Sequence, residues 1–178
     1  MRTETITRNI YTFSELSEDA KRNALAEFAD INVTHEWWEC VYEDAERIGV
    51  KITGFDLDRN RHAEGELTLS ATEVAANIIR DHGDTCSTYS TAEAFLEKHS
   101  ELMEVYLREE ADEDGSSDAL RDAEDALNEC EDEFLRDILE DYSIILQKEY
   151  EYQTSDEAMI AAIEANDYEF LENGEFVF

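Results

Sequence analysis

Apolar residues recur at intervals of three or four through the second half of the chain, and this regular stripe constrains the fold more than any other feature. A period near 3.6 is that of an α-helix with one buried face. The sequence therefore predicts a single long helix that begins near Asp118 and runs for about thirty residues. The residues of the stripe are Leu120, Ala123, Leu127, Cys130, Phe134, Ile138, Tyr142 and Ile145.

The opposite face of the same predicted helix is acidic. Asp118, Asp122, Asp125, Glu129 and Asp132 repeat by three or four and form a ridge along one helical face. Like charges at this spacing destabilise a helix by a few tenths of a kcal/mol per pair, so the ridge is a cost to folding. An ordinary solvated face is the alternative, but such faces mix both signs of charge. The pattern favours an interaction surface.

The acidity extends to the whole chain. Its 178 residues include 47 Asp and Glu against 14 Lys and Arg, a formal net charge of -33, which exceeds what solubility requires of a small domain. Hydrophobic residues make up 42%, enough for a packed core. Adaptation to a salty cytoplasm is the alternative explanation. The acids here are mainly Glu and the aromatic residues are numerous, which weakens that explanation without removing it.

The first half of the chain mixes strand and helix patterns. Alternation over 4–13 predicts an opening strand, and Ser17 is placed to cap a first helix. A second helix is predicted from Thr34 to Gly49. Two short strands over 51–58 and 64–70 then form a candidate hairpin.

The remaining elements are predicted from caps and turns. Ser70 and Glu73 form a capping box for a helix that ends at His82 and Gly83. Helical periodicity resumes at Thr91, and Ser155 caps a last short helix. Asn173 and Gly174 between apolar runs predict a two-residue hairpin turn, whose strands extend the N-terminal sheet.

These elements predict an α+β fold. Its small antiparallel sheet combines the N-terminal strand, the central hairpin and the C-terminal hairpin. About five to six helices pack with the sheet, including one long acidic helix. We expect a single domain over 1–178, in which 1–90 and 167–178 form the α+β part and 91–166 form a helical acidic lobe.

The residue patterns of known catalytic sites are missing from the sequence. His35, His62, His82 and His99 lie in four different predicted elements, none at a metal-ligand spacing. There is no phosphate-binding glycine loop, nucleophile elbow or Cys-His pair with local context. We therefore expect no metal, no cofactor and no enzymatic activity. A site that motifs do not disclose is the remaining alternative.

The three cysteines and the first residues bear on location. Cys40, Cys86 and Cys130 are odd in number and have no paired spacing, as expected of reduced thiols. The chain opens without the charged start and apolar run of a signal peptide, and no apolar segment reaches the length of a membrane span. These patterns predict a cytoplasmic protein.

The density of acids resembles that of one nucleic-acid strand. Residues 104–141 contain seventeen Asp or Glu against three Arg, a local net charge of -14. The thirteen acids between Asp118 and Glu151 would spread over about 50 Å of helix, one per roughly 4 Å. Each strand of duplex DNA carries one phosphate per roughly 3.4 Å. Imitation of a duplex requires a second acidic row, from the helix over 97–110 or from a second subunit in a homodimer.

The charge also selects the class of partner. Carboxylates at this density repel nucleic acids and anionic membranes, so neither is expected to bind directly. The expected partner is basic, such as a DNA- or RNA-binding protein or complex. Trp37 and Trp38 are either core residues or exposed apolar anchors for that partner.

Four segments carry a resemblance to known proteins: 10–21, His35–Trp38 with Tyr42–Ala45, Ile52–Asp58, and 162–170 with the Asn-Gly turn. They are similar to a family of small acidic tailed-bacteriophage proteins that has no assigned activity. The resemblance implies a phage accessory protein in the cytoplasm of a bacterial host cell, where the basic partner is a nucleic-acid-binding protein or complex of the host. Phages commonly encode acidic proteins that occupy the DNA-binding groove of restriction or CRISPR machinery. The resemblance covers about half of the chain and implies no role for any single residue.

Together, these observations predict a DNA mimic with an anti-CRISPR or anti-restriction function, which inhibits a host defence or DNA-processing complex by competing for its basic groove. The alternative is an antitoxin-like or assembly adaptor that binds through apolar contacts, with the charge serving solubility. The predicted partner-binding residues are Glu109, Glu110, Asp112, Glu113, Asp114, Asp118, Asp122, Asp125, Glu129 and Asp132.

Overall fold

The computed structural model describes residues 7–112 and 117–177. Over these residues the chain forms six α-helices and two antiparallel sheets of two strands each. The predicted α+β class with one long helix is confirmed. The strands of the central hairpin form one sheet, and the N-terminal and C-terminal strands form the other.

The chain divides into two compact units. One combines 1–38 with 148–178, and the other is 39–147. The division predicted from sequence placed its boundaries at 90/91 and 166/167. The boundary between the units at 147/148 does not coincide with the end of a helix, because it lies within the long helix Ser117–Gln153.

The first unit contains strand β1 (Tyr11–Thr12), a 3₁₀ turn (Phe13–Glu15) and helix α1 (Glu18–Glu27). Ser17 caps α1 by accepting a hydrogen bond from the backbone N–H of Ala20, as predicted. The opening strand is shorter than expected, because its paired ladder contains only two residues. Residues 4–6 of that prediction lie outside the described residues.

The second unit begins with helix α2 (Glu39–Ile48) and the hairpin of β2 (Val50–Asp56) and β3 (His62–Leu67). The prediction that α2 begins at Thr34 is wrong, because 28–34 fold into tight turns and the Trp37 ring packs against Tyr150, 5.4 Å between centroids. Gly49 ends α2 with a left-handed φ of 97°, as the sequence predicted.

Helices complete the second unit. Helix α3 (Ala71–Asp81) carries the predicted capping box of Ser70 and Glu73. Helix α4 (Ser87–Ala111) begins four residues before the predicted Thr91. Helix α5 (Ser117–Gln153) is 37 residues long, and its buried residues include most of the apolar stripe.

The chain ends in the first unit with helix α6 (Asp156–Ala165), capped by Ser155, and strand β4 (Glu169–Phe170), which pairs with β1. The Asn-Gly turn that follows is confirmed. Its loop has three residues instead of two, because the N–H of Leu171 donates to the carbonyl of Glu175 and Gly174 adopts a left-handed φ of 87°. The core of this unit consists of Phe13, Leu16, Ala20, Ala24, Ile163 and Phe170.

Over 7–112 and 117–177, none of the helices has the combination of length and apolar character that a membrane-spanning segment needs.

Candidate functional site: an acidic helix pair

Helices α4 and α5 pack as an antiparallel pair within the second unit. The Phe95 ring stacks on the Phe134 ring, with centroids 4.2 Å apart. Near the start of α4, the Thr91 hydroxyl donates to Asp141. Further along α4, His99 lies beside Glu131, which precedes Asp141 in α5, so the two helices run antiparallel. We call these two helices the acidic helix pair.

The acidic ridge predicted on α5 is exposed along its whole length. We call Asp118, Asp122, Asp125, Glu129 and Asp132 the α5 row; all five are exposed, whereas Ala123, Leu127, Cys130 and Phe134 between them are buried. Asp118 lies 3.7 Å from Arg121. In the described part of the chain, no cation lies within ion-pair distance of the other four carboxylates. Four carboxylates of the row therefore have no ion pair to compensate their charge.

A second acidic row lies on α4. This helix was expected to supply such a row, but the residues of the row were not identified from the sequence. Glu93, Glu97, Glu101 and Glu104 are all exposed and repeat by four, four and three, which places them on one face of the helix. We call them the α4 row. The buried Phe95 and His99 lie on the opposite side of α4, so the row faces away from α5. The spacing was readable in the sequence, but these acids lie N-terminal to the densest acidic stretch.

The two rows have similar charge densities. A rise of about 1.5 Å per residue places one carboxylate per roughly 5 Å along each row. The second acidic row that duplex imitation requires is therefore present within one chain. This second row lies on α4, which includes the segment 97–110 that was expected to supply it.

The predicted residues at the tip of the pair have mixed positions. Glu110 and Asp112 are exposed at the end of α4. The Glu109 carboxylate is 26% exposed and lies 3.4 Å from the Arg108 guanidinium. Glu113 and Asp114 lie outside the described residues. Of the ten predicted site residues, the structure thus places seven exposed and one partly buried.

Two cationic side chains in this region are held by carboxylates of the same unit. The Lys98 ammonium pairs with Glu133, and this hydrogen bond raises the pKa of Lys98 and lowers the pKa of Glu133. Arg61 binds Glu140 and also donates to the Ser143 hydroxyl, 3.0 Å away. Both cations are therefore committed to intramolecular contacts.

A buried polar network lies elsewhere in the second unit. The Tyr142 hydroxyl donates to Asp44 at 3.0 Å, and burial raises the pKa of Tyr142. His82 Nδ1 lies 2.8 Å from the Thr88 hydroxyl, and its Nε2 lies 3.5 Å from Asp44 Oδ2. The order hydroxyl, imidazole, carboxylate resembles a nucleophilic triad, but Thr88 is only 1% exposed. A substrate therefore cannot reach that hydroxyl. The contacts of the network connect α2, α4 and α5.

Other sequence features can now be placed. Trp37 is 9% exposed and belongs to the core, whereas Trp38 is half-buried against it, 5.6 Å between ring centroids. Cys130 is buried, which raises the pKa of its thiol. In the described residues, no group of three or more His, Cys, Asp or Glu side chains is arranged to hold a metal ion.

Comparison with family models, with curated proteins and with solved structures finds no match for this chain. The similarity to small phage proteins described above remains a prediction, and the functional argument rests on the acidic helix pair.

Proposed function

We propose that this protein is an acidic nucleic-acid mimic that occupies the basic groove of a bacterial nucleic-acid-binding protein or complex and thereby inhibits it. The similarity to phage proteins makes a host defence complex, of the restriction or CRISPR type, the expected target. The proposal concerns binding, and it requires no catalytic residue.

The observation that carries the proposal is that four of the five carboxylates of the α5 row are unpaired. Asp122, Asp125, Glu129 and Asp132 stand on one exposed face without a cation within ion-pair distance among the described residues. Like charges three and four residues apart cost a few tenths of a kcal/mol per pair, and no ion pair of the described residues offsets that cost at these four positions. A basic surface would offset it upon binding.

The geometry supports competition with nucleic acid. The α4 and α5 rows run along antiparallel helices, as the two phosphate strands of a duplex run antiparallel. A basic groove binds phosphates largely through charge, irrespective of sequence. The carboxylates of each row can therefore pair with Lys and Arg side chains that otherwise hold phosphates.

Exposed apolar residues favour a second candidate, an adaptor that binds through apolar contacts. Leu107 is 54% exposed and Tyr152 is 53% exposed. Single exposed apolar side chains are common on protein surfaces, whereas a contiguous patch would indicate an interface. Leu107 lies on α4 in the second unit, and Tyr152 lies at the end of α5 in the first unit.

Affinity capture from a bacterial lysate at low and at high salt separates the two candidates. The mimic is expected to retain basic nucleic-acid-binding proteins at about 0.05 M salt and to release them by about 0.5 M, because charge contacts between exposed groups are screened at that ionic strength. Retained proteins are identified by mass spectrometry. Partners that stay bound at high salt would support the adaptor and contradict the mimic.

A further inference from the structure

A groove lies between α4 and α5, beside the α5 row but separate from it. Its volume is about 410 Å³, within the range of roughly 300–1,000 Å³ that is typical of ligand sites. Ala94 is exposed on its wall, and the stacked rings of Phe95 and Phe134 form its floor. The groove is thus open, with an apolar base.

Two polar groups on its rim, one on each helix, offer hydrogen-bond acceptors. Asp137 is exposed on the α5 side and has neither an ion pair nor a hydrogen bond within the described part of the chain. On the α4 side, the Thr91 hydroxyl donates its proton to Asp141 Oδ2, 2.7 Å away. The oxygen of Thr91 therefore has only lone pairs to offer to a ligand. Lys98, the cation on the rim, is already paired with Glu133.

A buried carboxylate behind the rim adds to this negative field. Asp141 is 8% exposed, and its hydrogen-bond donor is the neutral Thr91 hydroxyl. Over the described residues, no cation lies within ion-pair distance of Asp141. A buried carboxylate without a cation is costly, and a positive charge in the groove would lower that cost.

We infer that this groove receives an arginine side chain of the basic partner. The aliphatic part of the side chain lies over Ala94 and the edges of the two Phe rings, and the guanidinium donates to Asp137 and to Thr91. Arginine fits better than lysine because its planar group is weakly hydrated, packs on aromatic rings and donates to two acceptors at once. This inference rests on the proposed function, in which the partner is basic.

The test compares oligo-arginine and oligo-lysine peptides of equal length and charge, with binding measured by calorimetry at low salt. We expect the arginine peptide to bind about tenfold more tightly, the size of one charge-assisted hydrogen bond. In Asp137→Asn that preference is lost while the lysine peptide still binds. The matched control, Asp132→Asn, removes one charge from the α5 row and is expected to weaken both peptides equally.

A second pair of variants tests the groove without a change of charge. Ala94→Leu fills it and is expected to abolish the preference for arginine, whereas Ala111→Leu, on the exposed end of α4, leaves the preference intact. Equal binding of both peptides to the unmodified protein, or an unchanged preference in Asp137→Asn and Ala94→Leu, would overturn the inference. If neither peptide binds, the proposed function fails as well, so the two failures are distinguishable.

Discussion

Reversal of charge at Asp122, Asp125, Glu129 and Asp132 is expected to abolish capture of the partner and leave the fold intact. Four ion pairs worth about 1 kcal/mol each correspond to a loss of roughly a thousandfold in affinity. The fold survives because all four side chains are exposed and make no ion pair within the described residues. Binding is measured by capture, and folding by circular dichroism.

The neutral variant at the same positions, Asp122→Asn with Asp125→Asn, Glu129→Gln and Asp132→Asn, separates binding from stability. Removal of three or four repulsive pairs is expected to raise the free energy of unfolding by about 1 kcal/mol, while capture is lost. A variant that is stabilised and still binds would show that the α5 row is not the contact surface.

A matched control keeps total charge from being mistaken for the site. Four exposed acids of the other compact unit are reversed in the same way, so both variants change the net charge equally. We expect this control to retain most of its partner binding at moderate salt, where surface charges more than about 8–10 Å from the contact are screened. Its residues are Asp30, Glu36, Glu164 and Glu172.

Gly174→Ala is expected to destabilise the protein by about 3 kcal/mol or more. Gly174 has a φ of 87°, and a Cβ atom there would lie 2.1 Å from the backbone carbonyl oxygen of Ala20 in α1. Neither backbone can give way cheaply, because Ala20 is buried in the core of the first unit. The measurement is chemical denaturation followed by circular dichroism.

Gly83→Ala is the control for this substitution. The nearest atom to a Cβ at Gly83 is the Thr85 hydroxyl oxygen, 4.0 Å away. An ordinary surface change of this kind stays within about 0.5 kcal/mol. Similar losses of stability in both variants would mean that the C-terminal turn does not pack closely against α1.

The long helix and its acidic face were predictable from the sequence because both follow from a local period. The stripe from Leu120 to Tyr142 fixes which side of α5 is buried, and the acids opposite are then exposed. The capping box at Ser70 and the turn at Gly174 are local signals of the same kind. These local structures are predictable because they depend only on residues that are close together in the sequence.

Features that depend on tertiary contacts were not predictable. The start of α2 was placed too early, because the packing of Trp37 against Tyr150 joins residues far apart in the sequence. The groove between α4 and α5 depends on the stacking of Phe95 on Phe134 and on the link from Thr91 to Asp141. None of these pairs has a sequence signature, since each joins residues that lie far apart in the sequence.

Competition with nucleic acid tests the central claim most directly. The fluorescence anisotropy of labelled nucleic acid bound to the captured partner is measured as this protein is added. Mimicry predicts that the apparent Kd of the partner for nucleic acid rises in proportion to the concentration of this protein, and that no complex contains all three molecules. A stable ternary complex, or nucleic-acid binding that does not change, would contradict the claim that the acidic helix pair occupies the nucleic-acid groove.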